Sequence, residues 1–283
     1  SPFDPFYMLS GTGRHSFGAT VAAAAGIVGS EQTSARIAKQ LNWSTDASLG
    51  DLHKKDNDTT SWLTAPIKNV NAISFSARDQ QVVLLGTSDS GVFLTKDRGV
   101  TWSQQNIHEH HVLSVAISPE KTNHMLAGTD NGLWMTQDGG EKWQQINSIG
   151  DIEVTACLFS KTNNEVVYVG TRSGVYVSND NGSNWRLENR GMFHTRVFGL
   201  AENSAGDLFA ASDGGGIYLR KQNTDSWISR SRGLQPGSTL AIEFLTDEHI
   251  YITSSYGIFV SNSGGDEWRP LWFSLGEAPA VLA

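Results

Sequence analysis

Six tryptophans recur along the chain at a nearly constant spacing. Consecutive members of the series are 40, 41, 42, 42 and 41 residues apart. They are Trp62, Trp102, Trp143, Trp185, Trp227 and Trp268. A fixed period of this length indicates a repeat architecture, in which each unit buries its apolar face against its neighbours. The period therefore restricts the chain to a repeating fold.

Each of the last five repeats contains four short β-rich runs that are separated by turn residues. In the second of them, the runs cover 111–118, 124–128, 133–136 and 142–146. Four strands of this length in about 40 residues are typical of one blade of a β-propeller. We therefore predict an all-β propeller with five clear blades and a divergent N-terminal sixth. The clear blades are expected over 69–107, 111–148, 152–190, 195–231 and 239–273.

The turn before the tryptophan carries a motif in three consecutive repeats. Thr95-Lys-Asp-Arg-Gly-Val-Thr-Trp102 fits the pattern Ser/Thr-x-Asp-x-Gly-x-Thr-Trp, and the next two repeats keep its hydroxyl residue, Asp, Gly and Trp. The motif residues are Asp97, Gly99, Trp102, Asp138, Gly140, Trp143, Asp180, Gly182 and Trp185. The last repeat has Ser263 in place of the Asp, whereas the segments that end at Trp227 and Trp62 keep little beyond the Trp.

With these motifs, the sequence from roughly Asn69 to Trp272 resembles the Asp-box, or BNR-repeat, β-propellers. That family includes sialidases, two-domain xyloglucanases, sortilin-type receptors and photosystem II stability/assembly-factor-like proteins. The resemblance implies an extracytoplasmic location, which is periplasmic, lumenal or secreted.

The chemistry of the motif favours a structural role over a metal or sugar site. An Asp side chain accepts hydrogen bonds from the backbone of its own tight turn, and Gly supplies the positive φ that the turn requires. The tryptophan ring gains most of the buried apolar area of each repeat by packing between neighbouring blades. We therefore predict that Asp97, Asp138 and Asp180 lock turns at the blade periphery.

The two ends of the chain depart from the repeat. Residues 1–61 are predicted to form an irregular N-terminal segment with a short helix over 30–43 and the divergent first blade, and 62–283 the propeller. The apolar tail 278–283 is expected to add a strand to the first blade and close the ring. We expect no intact signal peptide, because no clean cleavage pattern follows Arg14.

Charge and composition exclude several classes of protein. The net charge of −8 and the sequence pI of about 5.4 argue against a nucleic-acid binder, whose domain is expected to be basic. The single cysteine, Cys157, excludes intramolecular disulfides and any cysteine-based zinc site. No apolar run reaches the roughly 18–20 residues that a membrane-spanning helix needs.

Five arginines of the predicted blade connections are the candidate binding residues. In the usual propeller order, the links between blades and the turns between second and third strands open on one face, where we expect these arginines. They are Arg172, Arg190, Arg196, Arg230 and Arg232. Clustered guanidinium groups on an acidic protein indicate a docking site for carboxylates or phosphates. The alternative is that they pair with acidic residues at blade edges or are only solvated.

Candidate residues for metal binding and catalysis give no complete set. His108, His110 and His111 suggest a metal site, but no fourth ligand is evident, so we predict neither a metal nor a cofactor. The carboxylates near the predicted face provide no obvious catalytic pair. They are Asp130, Asp151, Glu153 and Asp213. Tyr256 is the only tyrosine in an exposed setting for a sialidase-like nucleophile, and Cys157 lies in a predicted core strand.

We therefore expect a non-catalytic propeller that binds a protein partner as a scaffold, assembly or stability factor. The chain is most similar to the photosystem II stability/assembly-factor-like group, which implies docking onto a membrane-protein segment or a larger complex. One alternative is a carbohydrate-active propeller, either a glycoside hydrolase or a glycan binder, with Phe193, Tyr256 and Trp272 as stacking platforms. Another is a building block of a larger assembly that packs through its N-terminal segment.

Overall fold

The computed structural model describes residues 43–46, 51–55, 62–64, 67, 69–107 and 111–271. Within these residues, all regular secondary structure is β-strand, arranged as five four-stranded antiparallel sheets and one three-stranded sheet. The prediction of an all-β propeller with five clear blades is confirmed. Residues 30–42 of the predicted helix, the tail 278–283 and Trp272 lie outside the described residues.

The three-stranded sheet comes first in the chain. Its strands are β1 (Trp43–Asp46), β2 (Asp51–Lys55) and β3 (Trp62–Thr64), which pair in chain order. Trp62 opens the last strand, as Trp227 does in a later sheet, and the other repeated tryptophans directly precede the last strand of their sheets. Trp43, the end of the predicted helix, lies in a strand instead, because it pairs with Lys54 in an antiparallel ladder.

The five blades begin at Val70, and each follows the chain from its first strand to its fourth. Blade I contains β4 (Val70–Phe75), β5 (Val83–Thr87), β6 (Val92–Thr95) and β7 (Ser103–Gln104). Blade II contains β8 (Val112–Ile117), β9 (Met125–Thr129), β10 (Gly132–Thr136) and β11 (Gln144–Gln145). Blade III contains β12 (Val154–Phe159), β13 (Val167–Thr171), β14 (Gly174–Ser178) and β15 (Arg186–Leu187).

Blades IV and V repeat the same arrangement. Blade IV contains β16 (Val197–Glu202), β17 (Leu208–Ser212), β18 (Gly216–Arg220) and β19 (Trp227–Ser229). Blade V contains β20 (Thr239–Phe244), β21 (Ile250–Ser254), β22 (Gly257–Ser261) and β23 (Arg269–Pro270). The first strands β4, β8, β12, β16 and β20 pack side by side in this order, so they form the inner wall of the ring.

Antiparallel pairing places the connections of every blade at two opposite ends. The turns between third and fourth strands contain the Asp motifs, and we call their end the box end. The turns between second and third strands and the links between blades open at the other end, which we call the link end. This arrangement assigns all five candidate arginines to links or turns of the link end, as their positions in the chain require.

Small residues in the second strands let neighbouring blades approach closely. A Cβ on Gly86, Gly128 or Gly170 would stand 2.4–2.7 Å from a Val side chain of the next first strand. The same position holds Ala211 in blade IV and Thr253 in blade V, each paired with the equivalent residue of its own first strand. The contact between blades is therefore closest along blades I to IV.

Three of the repeated tryptophans are buried between blades. Trp143, Trp227 and Trp268 belong to apolar clusters that join consecutive blades. The indole Nε1–H of Trp227 donates to the Glu188 carbonyl at 2.8 Å, and that of Trp268 to the Arg230 carbonyl at 2.7 Å, in both cases across a blade boundary. Burial of one such ring contributes on the order of 4–6 kcal/mol of transfer free energy before entropic costs.

Candidate functional site

The Asp motifs of blades I to III form closed local networks. The Asp97 carboxylate accepts hydrogen bonds from the Thr95 hydroxyl at 2.7 Å and the Thr101 backbone N–H at 2.8 Å, and Thr95 also accepts from the Gly99 N–H at 2.8 Å. Bonds from Thr101 hold the pKa of Asp97 down at about 2. The carboxylate is therefore ionised and used within its own turn.

The equivalent aspartates of blades II and III repeat this geometry. Asp138 accepts from Thr136 and from the Lys142 N–H, and these bonds lower its pKa. Asp180 accepts from both the side chain and the backbone of Asn184, which lowers its pKa to about 2. The motif glycines Gly99, Gly140 and Gly182 have φ values of +81°, +91° and +86°. Only Gly adopts such angles readily, which explains its place in the motif.

Blade IV replaces the Asp motif with a buried ion pair. Arg220 stands where the other blades have a Ser or Thr, and its Nη1 lies 2.7 Å from Glu188 Oε2, with both side chains less than 10% exposed. Arg220 Nη1 also donates to the Thr224 carbonyl, and the guanidinium lies over the Tyr168 and Trp227 rings. Sequence reasoning missed this pair, although the arginine at a hydroxyl position was a usable signal.

The links after blades III and IV share the hydrogen bonds of their first halves. We call residues 188–196 link III and residues 230–238 link IV. The carbonyl oxygens of Arg190 and Arg232 accept from the N–H groups of Trp227 and Trp268 at 2.7 and 2.9 Å. Asn189 and Ser231, one residue earlier in each link, both accept from a backbone N–H of a third strand. Arg190 and Arg232 are therefore equivalent residues of consecutive blades.

Three of the candidate arginines lie at the outer edge of the ring. The Arg190 side chain is 75% exposed and lies 3.2 Å from Asp225, and that of Arg232 is 79% exposed and lies 3.9 Å from Glu267. Arg230 is closer to its partner, with 2.8 Å to Asp266. Each acidic partner precedes the tryptophan of the next blade by one or two residues. These three arginines thus pair across the boundaries III–IV and IV–V.

The other two arginines lie near the inner wall. Arg196 directly precedes β16, and its Nη2 lies 3.1 Å from both carboxylate oxygens of Glu153, while Nη1 lies 3.9 Å from Asp213. Arg172 is exposed in the turn of blade III, and its N–H donates to the Glu153 carbonyl. The structure therefore divides the five predicted arginines into an inner pair and an outer row of three.

Exposed apolar side chains occupy the same blades as the arginines. Phe193 is 91% exposed in link III, and Tyr256 is 58% exposed in the turn between β21 and β22. Leu187 and Ile228 are exposed on the fourth strands of blades III and IV. Among the described residues, the remaining exposed large hydrophobic side chain is Val100, in the box turn of blade I. The link end of blades III to V thus combines guanidinium groups with apolar surface.

Among the carboxylates that the sequence offered for catalysis, two are joined by an arginine. Arg196 contacts both Glu153 and Asp213, and Asp213 also accepts from the Ser238 hydroxyl at 2.5 Å. Asp151 accepts from the Gln145 side chain at 3.1 Å. An inverting glycosidase needs open space for a water and a sugar between its two acids. In the structure, a guanidinium group fills the space between Glu153 and Asp213.

Other candidate nucleophiles and acids lie within the blades. Burial raises the pKa of the Cys157 thiol to about 12, so it stays protonated near neutrality. Tyr168, Tyr176, Tyr218 and Tyr251 lie in strands, as their sequence context indicated. Burial also raises the pKa of Glu243, on β20, to about 7. Sequence reasoning missed Glu243 because only the packing of blade V reveals its burial.

The described part of the chain does not test a metal site at the three histidines, since two of them lie outside it. His111 is exposed, whereas His108 and His110 lie outside the described residues. Within the described ranges, no group of three or more His, Cys, Asp or Glu side chains is arranged to hold a metal ion. Over the same ranges, none of the secondary structure is a helix with the length and apolar character to cross a membrane.

Solved structures share the fold at low sequence identity. An ancestral GH74 enzyme aligns with a TM-score of 0.67 and 18% identity over 82% of this chain and 37% of its own. The extracellular domain of a putative hybrid two-component system from B. thetaiotaomicron has a TM-score of 0.60 and 17% identity over 77% and 31%. The chain thus spans less than half of these proteins. At such identities the likeness shows the fold alone.

A family comparison is more specific. YCF48 bound to a D1 peptide aligns with a TM-score of 0.59 and 15% identity over 80% of this chain and 76% of its own. No curated protein matches the sequence. The family model described as photosynthesis system II assembly factor YCF48 matches residues 53–235, which is more than half of the chain. The chain therefore belongs to the YCF48 family of β-propellers.

Proposed function

We propose that the protein is a non-catalytic assembly or stability factor that docks a protein partner through the link end of blades III to V. The observation that carries the proposal is that the outer arginines Arg190, Arg230 and Arg232 lie at the same end of blades III to V as the exposed rings of Phe193 and Tyr256. Arginine and aromatic residues are enriched in protein interfaces and dominate their binding energy. The exposed arginines and the exposed aromatic side chains thus both indicate a binding surface at the link end.

The outer arginines are suited to bind a carboxylate of the partner. Arg190 and Arg232 pair with exposed acidic residues at 3.2 and 3.9 Å, and exposed pairs of this kind contribute only about 0–1 kcal/mol. A partner's carboxylate is able to replace the internal one at small cost, and to be held bidentately. Arg196 is already neutralised by Glu153 and Asp213, so we assign it a positioning role at the inner wall.

Family membership supports both the kind of partner and the location. YCF48 has been solved with a bound D1 peptide, which shows that this fold accommodates a peptide in that protein. We infer by analogy that the partner here is a segment of a membrane protein or of a larger complex. An extracytoplasmic location is inferred from the family and from the extracellular domain that shares the fold.

The test is affinity capture from a native envelope extract, together with titration of a D1 peptide. The wild-type protein is compared with the double variant Arg190→Glu/Arg232→Glu, and Lys142→Glu, at the box end of blade II, is a charge-reversal control at the opposite end. We expect the double variant to lose the partner and Lys142→Glu to keep it. Equal capture by all three proteins would contradict the proposed surface. Arg196 is left intact because a third carboxylate beside Glu153 and Asp213 would destabilise the fold.

A carbohydrate-active propeller is the second candidate, and Glu243 is the residue that favours it. Glu243 lies on the inner-wall strand β20, where burial raises its pKa to about 7, within the range of glycosidase acids. A hydrolysis screen on polysaccharides with the wild-type protein and Glu243→Gln tests this candidate. Turnover by the wild type that Glu243→Gln abolishes would replace the docking function with an enzymatic one.

A further inference from the structure

We propose that Phe193 is the apolar anchor of the docking surface and that it binds an extended, acidic peptide segment of the partner through one of its apolar side chains. The inference rests on the proposed function. It adds to it the residue that recognises the partner and the chemical character of the peptide that is bound. The Phe193 side chain is 91% exposed, so the fold itself makes almost no use of the ring.

The backbone on both sides of Phe193 is fixed in the free protein. The N–H groups of Phe193 and His194 both point to the Tyr218 hydroxyl oxygen at 3.3 Å, and the Met192 N–H donates to the Asn189 carbonyl at 2.9 Å. Met192 is buried in the apolar cluster between blades III and IV. Gly191 packs so closely on the Trp227 carbonyl that a Cβ would stand 2.2 Å from its oxygen. A preorganised loop loses little entropy on binding.

Link IV shows that the loop does not need a phenylalanine. The two links correspond residue by residue, with Arg190-Gly191-Met192 in link III and Arg232-Gly233-Leu234 in link IV. Gly233 meets the Trp268 carbonyl as Gly191 meets that of Trp227, with a Cβ position 2.1 Å from the oxygen. The position of Phe193 is held in link IV by Gln235, which is also exposed. The ring is therefore present in link III and absent from link IV.

The charge beside Phe193 indicates what the partner segment carries. Arg190 lies three residues earlier in the same link, is 75% exposed and pairs with the exposed Asp225. An exposed aromatic ring and an exchangeable guanidinium group on one link are complementary to a segment that carries both an apolar side chain and a carboxylate. An extended segment presents side chains to a surface at regular intervals and suits a rigid loop that offers both groups.

The experiment selects binders from a displayed library of random peptides on the wild-type protein. The affinity of the enriched peptides is then measured for the wild type, Phe193→Gln, Phe193→Leu and Arg190→Glu. Phe193→Gln gives link III the residue that link IV carries naturally, so the variant is expected to fold. Val100→Gln removes an exposed apolar side chain from the box end and is the matched control.

We expect the enriched peptides to combine apolar and acidic residues. Phe193→Gln should weaken their binding about 30-fold or more, which is the effect of a hot-spot residue, and Phe193→Leu should weaken it less. Val100→Gln should have no effect. Thermal unfolding of each variant excludes a folding defect as the cause.

The outcomes separate this inference from the proposed function. Peptides that lose affinity for Arg190→Glu but bind Phe193→Gln as well as wild type would overturn the anchor and leave the docking surface in place. Peptides whose binding no link-end variant changes would overturn both. Binding of a glycan array that depends on Phe193, in the absence of enriched peptides, would show a sugar platform and would also overturn the peptide inference.

Discussion

Blades III and IV solve the same structural problem with different chemistry. In blade III, Ser178 and Asp180 close the turn before the last strand, and the Asp180 carboxylate accepts bonds from Ser178 and Asn184. In blade IV, Arg220 takes the place of the serine and reaches Glu188 of the preceding link at 2.7 Å. Both blades nevertheless have four antiparallel strands in the same register pattern. The turn motif is therefore a replaceable structural device.

The same two blades differ again at the opposite end. Links III and IV share the backbone bonds around Arg190 and Arg232 and an Arg-Gly pair, yet Phe193 faces solvent in one link where Gln235 does so in the other. Folding accounts for the features that both links share. The feature that only one link has makes almost no contact within the chain, which is why we assign it to recognition of a partner.

The largest effect on stability is expected when the buried ion pair between Arg220 and Glu188, which replaces the Asp motif in blade IV, is broken. Glu188→Ala leaves the Arg220 guanidinium buried without its carboxylate, and loss of one partner of a buried pair costs about 3–5 kcal/mol. Denaturant unfolding should show this loss, and the double variant Glu188→Ala/Arg220→Met should recover much of it because no unpaired charge remains. A cost below about 1 kcal/mol for Glu188→Ala would show that the pair does not hold blade IV to blade III.

A smaller loss of stability is expected when Gly170 in the second strand of blade III is replaced by alanine, the residue at the equivalent position of blade IV. Gly170→Ala introduces a Cβ at 2.7 Å from Val197 Cγ1, and overpacking of this kind costs about 1–3 kcal/mol. The reverse change in blade IV, Ala211→Gly, relieves no clash and removes a buried methyl group, so it should also lower stability and not raise it. Equal unfolding free energies for wild type and Gly170→Ala would show that the blades have room to separate at this boundary.

Loss of the Asp motif in blade III should cost less, and its effect should depend on pH. Asp180→Ala should lower Tm by a few degrees at neutral pH. The pKa of Asp180 in the fold, about 2, is below its ordinary value of 3.8, so its contribution is present above about pH 4 and disappears as the pH falls towards 2. Melting curves of wild type and variant should therefore converge in that interval. A constant difference in Tm down to pH 2 would contradict the role of the ionised carboxylate.

The smallest effect on stability is expected at the outer edge of the link end. Arg190→Glu and Arg232→Glu each replace an exposed ion pair with two exposed like charges, which solvent and salt screen, so the unfolding free energy should fall by no more than about 1 kcal/mol. The same variants should abolish capture of the partner. A large loss of stability would mean that these arginines join the blades and are not available to a partner.

The sequence predicts the parts of the molecule that repeat. The tryptophan period and the turn chemistry around Asp97 are enough to predict five blades, their strands and their box ends, because those interactions are local. Arg220 and Glu188 are 32 residues apart in the chain, and their pairing does not recur in the other repeats, so the sequence does not reveal it. The division of the five arginines into an inner pair and an outer row depends on the direction of each side chain, which the sequence does not give. Arg196 and Arg190 stand only a few residues apart, yet they pair in different directions.

The most direct test of a docking surface at the link end is amide hydrogen exchange of the protein with and without its captured partner. We expect the partner to slow exchange in link III, in link IV and in the turn around Tyr256, and to leave the box turns around Asp97, Asp138 and Asp180 unchanged. Protection confined to the box turns, with links III and IV unaffected, would contradict the central claim and move the interface to the opposite end of the propeller.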